Sequence, residues 1–340
     1  MCKRILASQT NTEEGVPFYK IGTIGNAPDA YISKELFDDY KTKYNYPHKG
    51  EVMITCAGTV GKCVIYDGKD AYFQDSNIVW IDNPSQCISN SFLYHLLAKV
   101  DWRKLNSTTI IRIYNDDLRN LKLSYPQIEE QQKISRLLSF LDERIATQNK
   151  VIDKLQSLIK GIRNDMYGKL RKSIGFNAMI SDILCYEQPQ PYIVENTEYT
   201  AEGIPVLTAN KAFVLGYTSE TNGIYDKGDC IIFDDFTLDC KYVDFPFKVK
   251  SSAIKILTAK NKELLRYTFE FLKYLDLSTE EHKRHYIAET QNQDFILPTE
   301  QIVKTIAHIF STLSVRMETA VKQRNVFEKQ KQYLLRQMFI

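Results

Sequence analysis

The chain of 340 residues contains a long internal repeat. Aligned with itself at an offset of 172 residues, the segment starting at Ser124 matches the segment starting at Ile296 without a gap for 43 positions. A repeat of this length indicates a duplicated architecture, in which a globular unit and a long helix each occur twice. Eight aligned pairs are identical: Pro126/Pro298, Ile134/Ile306, Ser139/Ser311, Leu141/Leu313, Arg144/Arg316, Thr147/Thr319, Lys150/Lys322 and Met166/Met338.

Each copy of the repeat carries a stripe of mostly apolar residues at alternating spacings of four and three, which is typical of a coiled-coil seam. A proline precedes each stripe, at a place where a helix loses no hydrogen bond. The pattern predicts two long helices that pair with each other. The alternative is that each stripe packs on its own globular unit. The residues predicted to pair are Ile134, Leu138, Leu141, Ile145, Gln148, Ile152, Leu155, Ile306, Phe310, Leu313, Met317, Ala320, Arg324 and Phe327.

Two polar interruptions of the stripes predict the direction of pairing. In a level antiparallel pair Gln148 lies opposite Arg324, whereas a parallel pair sets Gln148 against Ala320. Polar groups in a seam are tolerated when they are paired, and they fix the register. We therefore expect antiparallel helices in which Gln148 and Arg324 meet.

The remaining segments are rich in short apolar runs separated by Gly and Pro, which predicts strands and turns. Residues 15–21 parallel residues 203–208, and residues 49–55 parallel residues 227–233. Only the second unit has an opening piece, residues 180–184, so we expect the first to be truncated at its N-terminus. The predicted fold class is α+β with pseudo-twofold symmetry. Its domains are 1–125, a first spacer helix 126–172, a second domain 173–297 and a second spacer helix 298–340.

Charge is distributed unevenly behind a net charge of +2. Residues 173–297 carry 12 basic and 19 acidic groups (12 − 19 = −7), whereas residues 126–172 carry 10 and 6 (10 − 6 = +4). The acidic second domain counts against nucleic-acid binding there unless its cations cluster. Seven cysteines without a C-x-x-C pair predict reduced thiols rather than disulfides or a zinc site. With neither a secretory leader nor a run of 18 apolar residues, the sequence predicts a cytoplasmic protein.

Four sequence motifs resemble those of the specificity subunits of type I restriction–modification enzymes. They are GVPFYKIG at 15–22, AGTVGK at 57–62, QDSNI at 74–78 and PQIEEQQKI at 126–134. The resemblance implies two target-recognition domains, each reading one half of a split site in double-stranded DNA. It also implies that the paired helices space these domains and dock two methyltransferase subunits. S-adenosylmethionine, ATP and Mg²⁺ are expected in the methyltransferase and restriction/translocase subunits, and no cofactor or metal is expected in this chain.

Candidate DNA-binding residues lie in polar loops, because hydroxyl, guanidinium and imidazole groups suit phosphates and base edges. The glycine-rich turn at 56–63 lacks the first glycine of a phosphate loop and the Ser/Thr after its lysine, so a plain strand–turn–strand stays open. A solvated polar loop stays equally open for residues 107–112 and 282–285. The predicted residues are Lys20, Thr23, Gly58, Thr59, Gly61, Lys62, Ser107, Thr108, Thr109, Arg112, Thr208, Asn210, Lys211, Lys241, His282, Lys283, Arg284 and His285.

No catalytic pattern stands out. Asn83 is followed by proline but not by the Pro-aromatic pair of amino-methyltransferases, and Asp67-Gly68 is more naturally a hairpin turn than part of a nuclease site. We therefore predict a non-catalytic DNA-specificity subunit. The alternative is a helical scaffold that binds partner proteins without reading DNA.

Overall fold

Two compact units make up the chain, and each combines a strand-rich part with segments of two long helices. The first unit comprises Met1–Thr147 with Gln323–Ile340, and the second unit comprises Gln148–Lys322. The structure, a computed structural model, describes residues 1–74, 77–85, 87–102, 112–208, 212–279 and 283–338.

The strand-rich part of the first unit contains two three-stranded sheets, with strand orders β2-β1-β5 and β4-β3-β6. Strand β3 is buried on both faces, since Met53 packs in one apolar cluster and Val52 and Ile54 pack in another. The elements are β1 (Val16–Tyr19), β2 (Tyr31–Ile32), α1 (Lys34–Lys43), β3 (Val52–Thr55), β4 (Cys63–Ile65), β5 (Tyr72–Phe73), β6 (Ile78–Ile81), α2 (Asn90–Lys99) and α3 (Asn115–Arg119).

The second unit has the sheet orders β10-β9-β13, β12-β11-β14-β8 and β15-β7. The remaining elements are α4 (Ile128–Ser173), β7 (Ala178–Met179), α5 (Ile180–Ile183), β8 (Leu184–Glu187), β9 (Ile204–Leu207), β10 (Val214–Thr218), β11 (Cys230–Asp234), β12 (Cys240–Val243), β13 (Lys248–Val249), β14 (Ile254–Ala259), α6 (Lys262–Leu275), β15 (Asp294–Phe295) and α7 (Glu300–Met338).

The two strand-rich parts repeat one topology. Strand β1 has an antiparallel neighbour in β2 and a parallel one in β5, just as β9 has in β10 and β13. The antiparallel order β4-β3-β6 likewise recurs as β12-β11-β14. The predicted α+β fold with duplicated strand-rich domains is therefore confirmed. One difference stands out, because the second unit adds β8 beside β14.

Capping residues define where the shorter helices begin. The Ser89 hydroxyl accepts a hydrogen bond from the Phe92 amide at 3.3 Å at the start of α2, and Asn261 does the same for Leu264 at 2.8 Å at the start of α6. A side-chain oxygen at this position satisfies an amide that the first helical turn leaves without a partner. Ser89 and Asn261 are themselves 172 residues apart, so the repeat extends to these caps.

The buried Gln131 explains part of the PQIEEQQKI motif. Its amide group donates to the carbonyl oxygens of Cys87 and Pro126, both at 2.9 Å, and accepts from the Ser89 amide at 2.8 Å. These bonds fasten the start of α4 to the start of α2. The motif therefore stabilises the domain–helix junction of the first unit.

The long helices run antiparallel, as the sequence predicts. In the second unit the Gln148 amide donates to the Ala320 carbonyl at 3.1 Å, and further along α4 Arg163 lies 5.9 Å from the Phe310 ring, nearer the start of α7. In the first unit Asp142 pairs with Lys331. Partner numbers on α7 fall as those on α4 rise, which only antiparallel helices allow.

The predicted meeting of Gln148 with Arg324 is wrong. Gln148 bonds the Ala320 carbonyl instead, whereas Arg324 donates to Asn325 at 2.9 Å and lies 3.7 Å from Glu328 on its own helix. The small Ala320 side chain lets the glutamine reach the backbone, and an arginine satisfied on its own helix needs no partner across the seam.

The seam residues also contribute to the domain cores, so the alternative packing holds in part. Ile306, Phe310 and Leu313 join the main apolar cluster of the second unit together with Tyr267. In the first unit Ile134 and Leu138 cluster with Phe92 and Leu96 of α2. All fourteen residues predicted to pair are buried or half-buried.

Within the described ranges, no helix is both long enough and apolar enough to cross a membrane.

Candidate nucleic-acid interface

Two predicted loops of the first unit lie side by side. The loop after β1 is held by Thr23, whose hydroxyl accepts from the Lys20 amide at 3.0 Å, and by Gln74, whose side chain accepts from the Ile21 amide at 3.2 Å. A Cβ built on Gly58, in the turn between β3 and β4, would lie 2.7 Å from the Ile21 side chain. The residues predicted around Lys20 and Gly58 are therefore neighbours in space.

The glycine-rich turn joins two antiparallel strands. The Thr55 amide donates to the Lys62 carbonyl at 3.0 Å, and the Gly61 amide donates to the Thr55 carbonyl at 2.9 Å, which closes the turn. A phosphate loop instead joins a strand to a helix, so the strand–turn–strand interpretation is correct. Gly58 and Gly61 have φ values of +65° and +81°, which favour glycine. Thr59 is exposed at the tip of the turn and Lys62 is half-buried.

Arg112 lies next to this turn in the folded chain. The Ile113 amide donates to the Cys56 carbonyl at 2.9 Å, which places Arg112 beside the base of the turn. Arg112 and Lys20 line one cavity of about 410 Å³, together with Arg4. Three cationic side chains around one concavity provide a surface that fits a phosphate backbone.

The same cavity contains polar residues that the sequence-based prediction missed. Gln74 and Asn77 line it beside Arg4. Amide side chains can pair with base edges, adenine in particular. Gln74 and Asn77 belong to the QDSNI motif, so the sequence could have identified them as candidate site residues. Arg4 lies in a segment without any motif.

Acidic neighbours moderate the charge of this cavity. Lys20 pairs with Asp29 at 3.1 Å, and the two side chains are 41% and 56% exposed. An exposed pair of this kind contributes little to stability, so its lysine can exchange the carboxylate for a phosphate at small cost. Burial raises the pKa of the Cys56 thiol at the base of the turn to about 11, which keeps it protonated at neutral pH.

Several predicted residues fall outside the described residues. They are Ser107, Thr108 and Thr109 in the first unit, and Asn210, Lys211 and His282 in the second. Their predicted roles stay predictions.

The predicted residues of the second unit have different surroundings from those of the first. Thr208 is buried, and its amide donates to the Phe213 carbonyl at 3.0 Å. Lys241 pairs with Asp239 at 3.2 Å and Lys283 pairs with Glu289 at 2.8 Å. Carboxylates of this acidic segment thus pair with two of its predicted DNA-binding cations, Lys241 and Lys283.

Asp235 organises the loop that carries the predicted residues 283–285. Its carboxylate is 1% exposed, pairs with Lys255 at 3.2 Å and accepts from the amides of His285 and Tyr286 at 3.1 and 2.8 Å. His285 is buried, and its ring lies 2.9 Å from Glu289. Asp235 and His285 therefore hold the loop in place, while Arg284 stays exposed, 3.3 Å from the Ser252 hydroxyl.

Among the described residues, no group of three or more His, Cys, Asp or Glu side chains is placed to hold a metal ion. The geometry is that of a protein with strand-borne loops that offer cations and amides to a polyanion.

Comparison with known proteins shows which proteins the chain is similar to. Residues 1–157 match the type I restriction modification DNA specificity domain. A type I restriction enzyme specificity subunit of Haemophilus influenzae, named S.HindORF215P, is 48% identical over 160 residues, which are 47% of this chain and 41% of that protein. The EcoR124I/EcoR124II specificity subunit of Escherichia coli is 45% identical over 126 residues, 35% of this chain and 31% of that protein. The matches thus span less than half of the length of these curated relatives.

A solved structure shows the same fold across the chain. The S subunit of a type I restriction–modification system from M. genitalium superposes with a TM-score of 0.67 at 16% identity, covering 100% of this chain and 92% of that one. The match of residues 1–157 to that domain and this shared fold are the two features that the chain has in common with these specificity subunits. The resemblance to a type I restriction–modification specificity subunit, predicted from the sequence, is confirmed.

Proposed function

We propose that the chain is a non-catalytic specificity subunit that recognises a bipartite, asymmetric site in double-stranded DNA. The observation that carries the proposal is the cavity of the first unit, where Arg4, Lys20 and Arg112 surround Gln74 and Asn77. Cations position a protein on phosphates, and amides that reach base edges provide sequence specificity. Two unlike domains of one topology would read two unlike half-sites, and the antiparallel helices would set the gap between them.

Partner subunits complete this function. The proposal includes two methyltransferase subunits and the restriction/translocase subunits, in the cytoplasm, with S-adenosylmethionine, ATP and Mg²⁺ bound by those partners. An exposed apolar patch on α4 supports docking: Leu137 and Phe140 are 41% and 51% exposed and line a concavity with Lys133 and Arg136. Large exposed apolar side chains rimmed by polar ones are typical of protein interfaces. Phe140→Asp should therefore reduce co-purification of the methyltransferase subunit.

Selection of random duplex DNA by the chain co-expressed with its methyltransferase subunit tests the proposal. We expect enrichment of a split motif with a fixed gap. Arg112→Ala should weaken binding and lower the slope of log affinity against log salt by about 1, as expected for one lost phosphate contact. Lys69→Ala is the matched control, because Lys69 is 87% exposed in the same unit but does not line the cavity. Equal losses from both variants would contradict the assignment of the cavity.

The spacer role has a separate test. Inserting one heptad into both long helices should change the gap of the selected motif and leave the letters of each half-site unchanged. An unchanged gap would show that the helices do not set the spacing.

A scaffold that binds partner subunits without reading DNA is the second candidate. The pairing of Lys241 with Asp239 and of Lys283 with Glu289 favours it for the second unit. Selection distinguishes the two functions, since a scaffold would co-purify with the methyltransferase but enrich no motif, or only a half-site.

A further inference from the structure

One residue follows the same strand in each unit. Gln74 comes directly after β5, and Lys250 comes directly after β13, the strands that pair parallel with β1 and β9. The Gln74 amide donates to the Tyr19 carbonyl at 2.9 Å, and the Lys250 amide donates to the Leu207 carbonyl at 3.0 Å. Tyr19 and Leu207 are themselves the last residues of β1 and β9. Gln74 and Lys250 therefore occupy equivalent places in the two units.

An arginine is equivalent in the same way. Arg112 and Arg284 lie 172 residues apart, which is the offset of the repeat. The amide of the residue after Arg112 donates to the Cys56 carbonyl at 2.9 Å, and the amide of the residue after Arg284 donates to the Asp235 carbonyl at 3.1 Å. Each arginine is therefore held beside the end of the same central strand, β3 in the first unit and β11 in the second.

The segments of four residues that follow β5 and β13 also end alike. The Cys56 amide donates to the Asn77 carbonyl at 2.8 Å, and the Asp235 amide donates to the Ala253 carbonyl at 2.9 Å. Both segments are thus fixed at two points, next to the equivalent arginine. The second unit has a lysine where the first has a glutamine, and an alanine where the first has an asparagine.

Lys250 and Arg284 form a cationic group in the second unit. Arg284 is exposed, and its Nη2 atom lies 3.3 Å from the hydroxyl of Ser252, two residues after Lys250. Lys250 is also exposed, with its ammonium group 5.6 Å from the centre of the Tyr199 ring. In the described part of this unit, neither cation forms an ion pair with a carboxylate. Both are therefore available to a polyanion.

A lysine at this place suits one base better than the others. An ammonium group donates hydrogen bonds and accepts none. In the major groove guanine presents two adjacent acceptors, N7 and O6, whereas adenine and cytosine each present an amino group that would face the ammonium. Thymine offers a single acceptor beside its methyl group. Guanine is therefore the base that satisfies Lys250 most fully.

The equivalent glutamine of the first unit offers different chemistry. The side-chain oxygen of Gln74 accepts from the Ile21 amide at 3.2 Å, which leaves its amino group to donate. A pair of hydrogen bonds to adenine would need both ends of the amide. The first unit thus presents a neutral donor where the second presents a charged one, so the two half-sites should differ at this position.

We propose that Lys250 reads a guanine in the second half-site, while Arg284 holds a phosphate beside it. This inference rests on the proposed function, because it assigns a base-reading residue to the second unit of a DNA-specificity subunit. The contact with Ser252 keeps Arg284 next to the segment that carries Lys250. One cation can then position the DNA while the other contacts a base edge.

Selection of random duplex DNA by the chain co-expressed with its methyltransferase subunit, followed by sequencing, tests the inference. Lys250→Gln should lower the preference for guanine about ten-fold at one position of one half-site, and leave the other half-site and the gap unchanged. Lys250→Arg should keep the guanine, since arginine also donates to N7 and O6. Lys260→Gln is the matched control, because Lys260 is exposed but lies at the other end of β14.

Arg284→Ala separates positioning from base reading. It should weaken the binding of all sequences by a similar factor and leave every letter of the motif unchanged, as expected for a lost phosphate contact. Both Lys250 and Arg284 are exposed, so these variants should keep the circular dichroism spectrum and melting temperature of the wild type. Altered letters in Arg284→Ala would contradict the assignment of this arginine to a phosphate.

The outcomes distinguish this inference from the proposed function. A wild-type motif that contains no guanine, or a motif that Lys250→Gln leaves unchanged, would overturn the inference while the proposed function stands. Failure of the wild type to enrich any motif would overturn the proposed function itself, and this inference with it.

Discussion

Replacement of Glu270 by glutamine should destabilise the second unit strongly. The Glu270 side chain is 2% exposed and accepts from Arg163 at 2.7 and 3.0 Å and from Arg266 at 2.9 Å. Arg266 also donates to the Phe310 carbonyl at 3.2 Å and to the Ser314 hydroxyl. Glu270 therefore links α6 to α4, Arg266 links α6 to α7, and the one carboxylate balances both guanidinium groups.

The expected loss of unfolding free energy follows from the charges that remain after the Glu270→Gln substitution. Glutamine keeps the shape of the side chain but leaves the Arg163 and Arg266 guanidinium groups in a buried site without an anion. Removal of one partner from a buried ion pair costs about 3–5 kcal/mol, because the remaining charge stays desolvated. We expect a loss in this range, measured from urea unfolding followed by circular dichroism at neutral pH. The exposed Glu263 of the same helix provides the control, with a change below about 0.5 kcal/mol for Glu263→Gln.

A triple variant distinguishes two contributions to this loss of stability. One is the lost attraction between Glu270 and the arginines, and the other is the cost of leaving the arginine charges buried without an anion. If the buried arginine charges cause most of the loss, replacing Arg163, Arg266 and Glu270 together by Met, Met and Leu should recover most of the stability. Buried ion networks often tolerate apolar replacement of this kind. A loss below about 1 kcal/mol for Glu270→Gln would refute the reasoning, because it would mean that water reaches these charges in solution.

Three further predictions concern the first unit and use the same unfolding assay. Gly61→Ala should cost more than about 2 kcal/mol, since φ is +81° and a Cβ would lie 2.2 Å from the Trp102 ring, whereas Gly22→Ala, with open space around it, should be nearly neutral. Gln131→Leu should cost about 2 kcal/mol, because the Cys87 and Pro126 carbonyls and the Ser89 amide lose their partner, which is buried. Burial, reinforced by the Lys331 ammonium, lowers the pKa of His95 from 6.5 to about 4. The unfolded state therefore binds the extra proton first as pH falls below 6.5, so the first unit should lose about 2 kcal/mol between pH 7 and pH 5. His95→Leu should remove this dependence, and an unchanged pH profile in that variant would assign it to other groups.

The sequence predicted the features that depend on periodicity. The repeat offset, the direction of the helices and the recurring strand order all follow from patterns that each copy carries along its own chain. The seam contacts depend instead on the size of facing residues. Gln148 reaches the Ala320 backbone because alanine leaves room, and Arg324 is satisfied by Asn325 and Glu328 before it can cross. A heptad pattern does not contain this information.

The candidate site was predictable only where its residues lie in a motif. Lys20 and Arg112 were predicted separately, but their shared cavity also involves Arg4, which no motif marks. His285 illustrates the opposite error, since an imidazole in a polar, basic loop suggests a nucleic-acid contact. Its burial depends on Asp235, fifty residues earlier, which accepts hydrogen bonds from the backbone of this loop. Tertiary hydrogen bonds of this kind leave no local signal in the sequence.

The distribution of carboxylates indicates how one scaffold came to carry two different surfaces. Positions that define the scaffold keep their function across the repeat, as the caps Ser89 and Asn261 show. Loop cations differ in their surroundings: Lys241 and Lys283 each pair with a carboxylate, as Lys20 does with Asp29, but Lys20 also shares one cavity with Arg4, Arg112 and amide side chains. Exchange of an exposed carboxylate partner for a phosphate costs little, so the first unit differs mainly because its cations converge on one cavity. The first unit should therefore supply most of the salt-dependent affinity for DNA, and charge removal there should reduce the salt slope more than equal removal in the second unit.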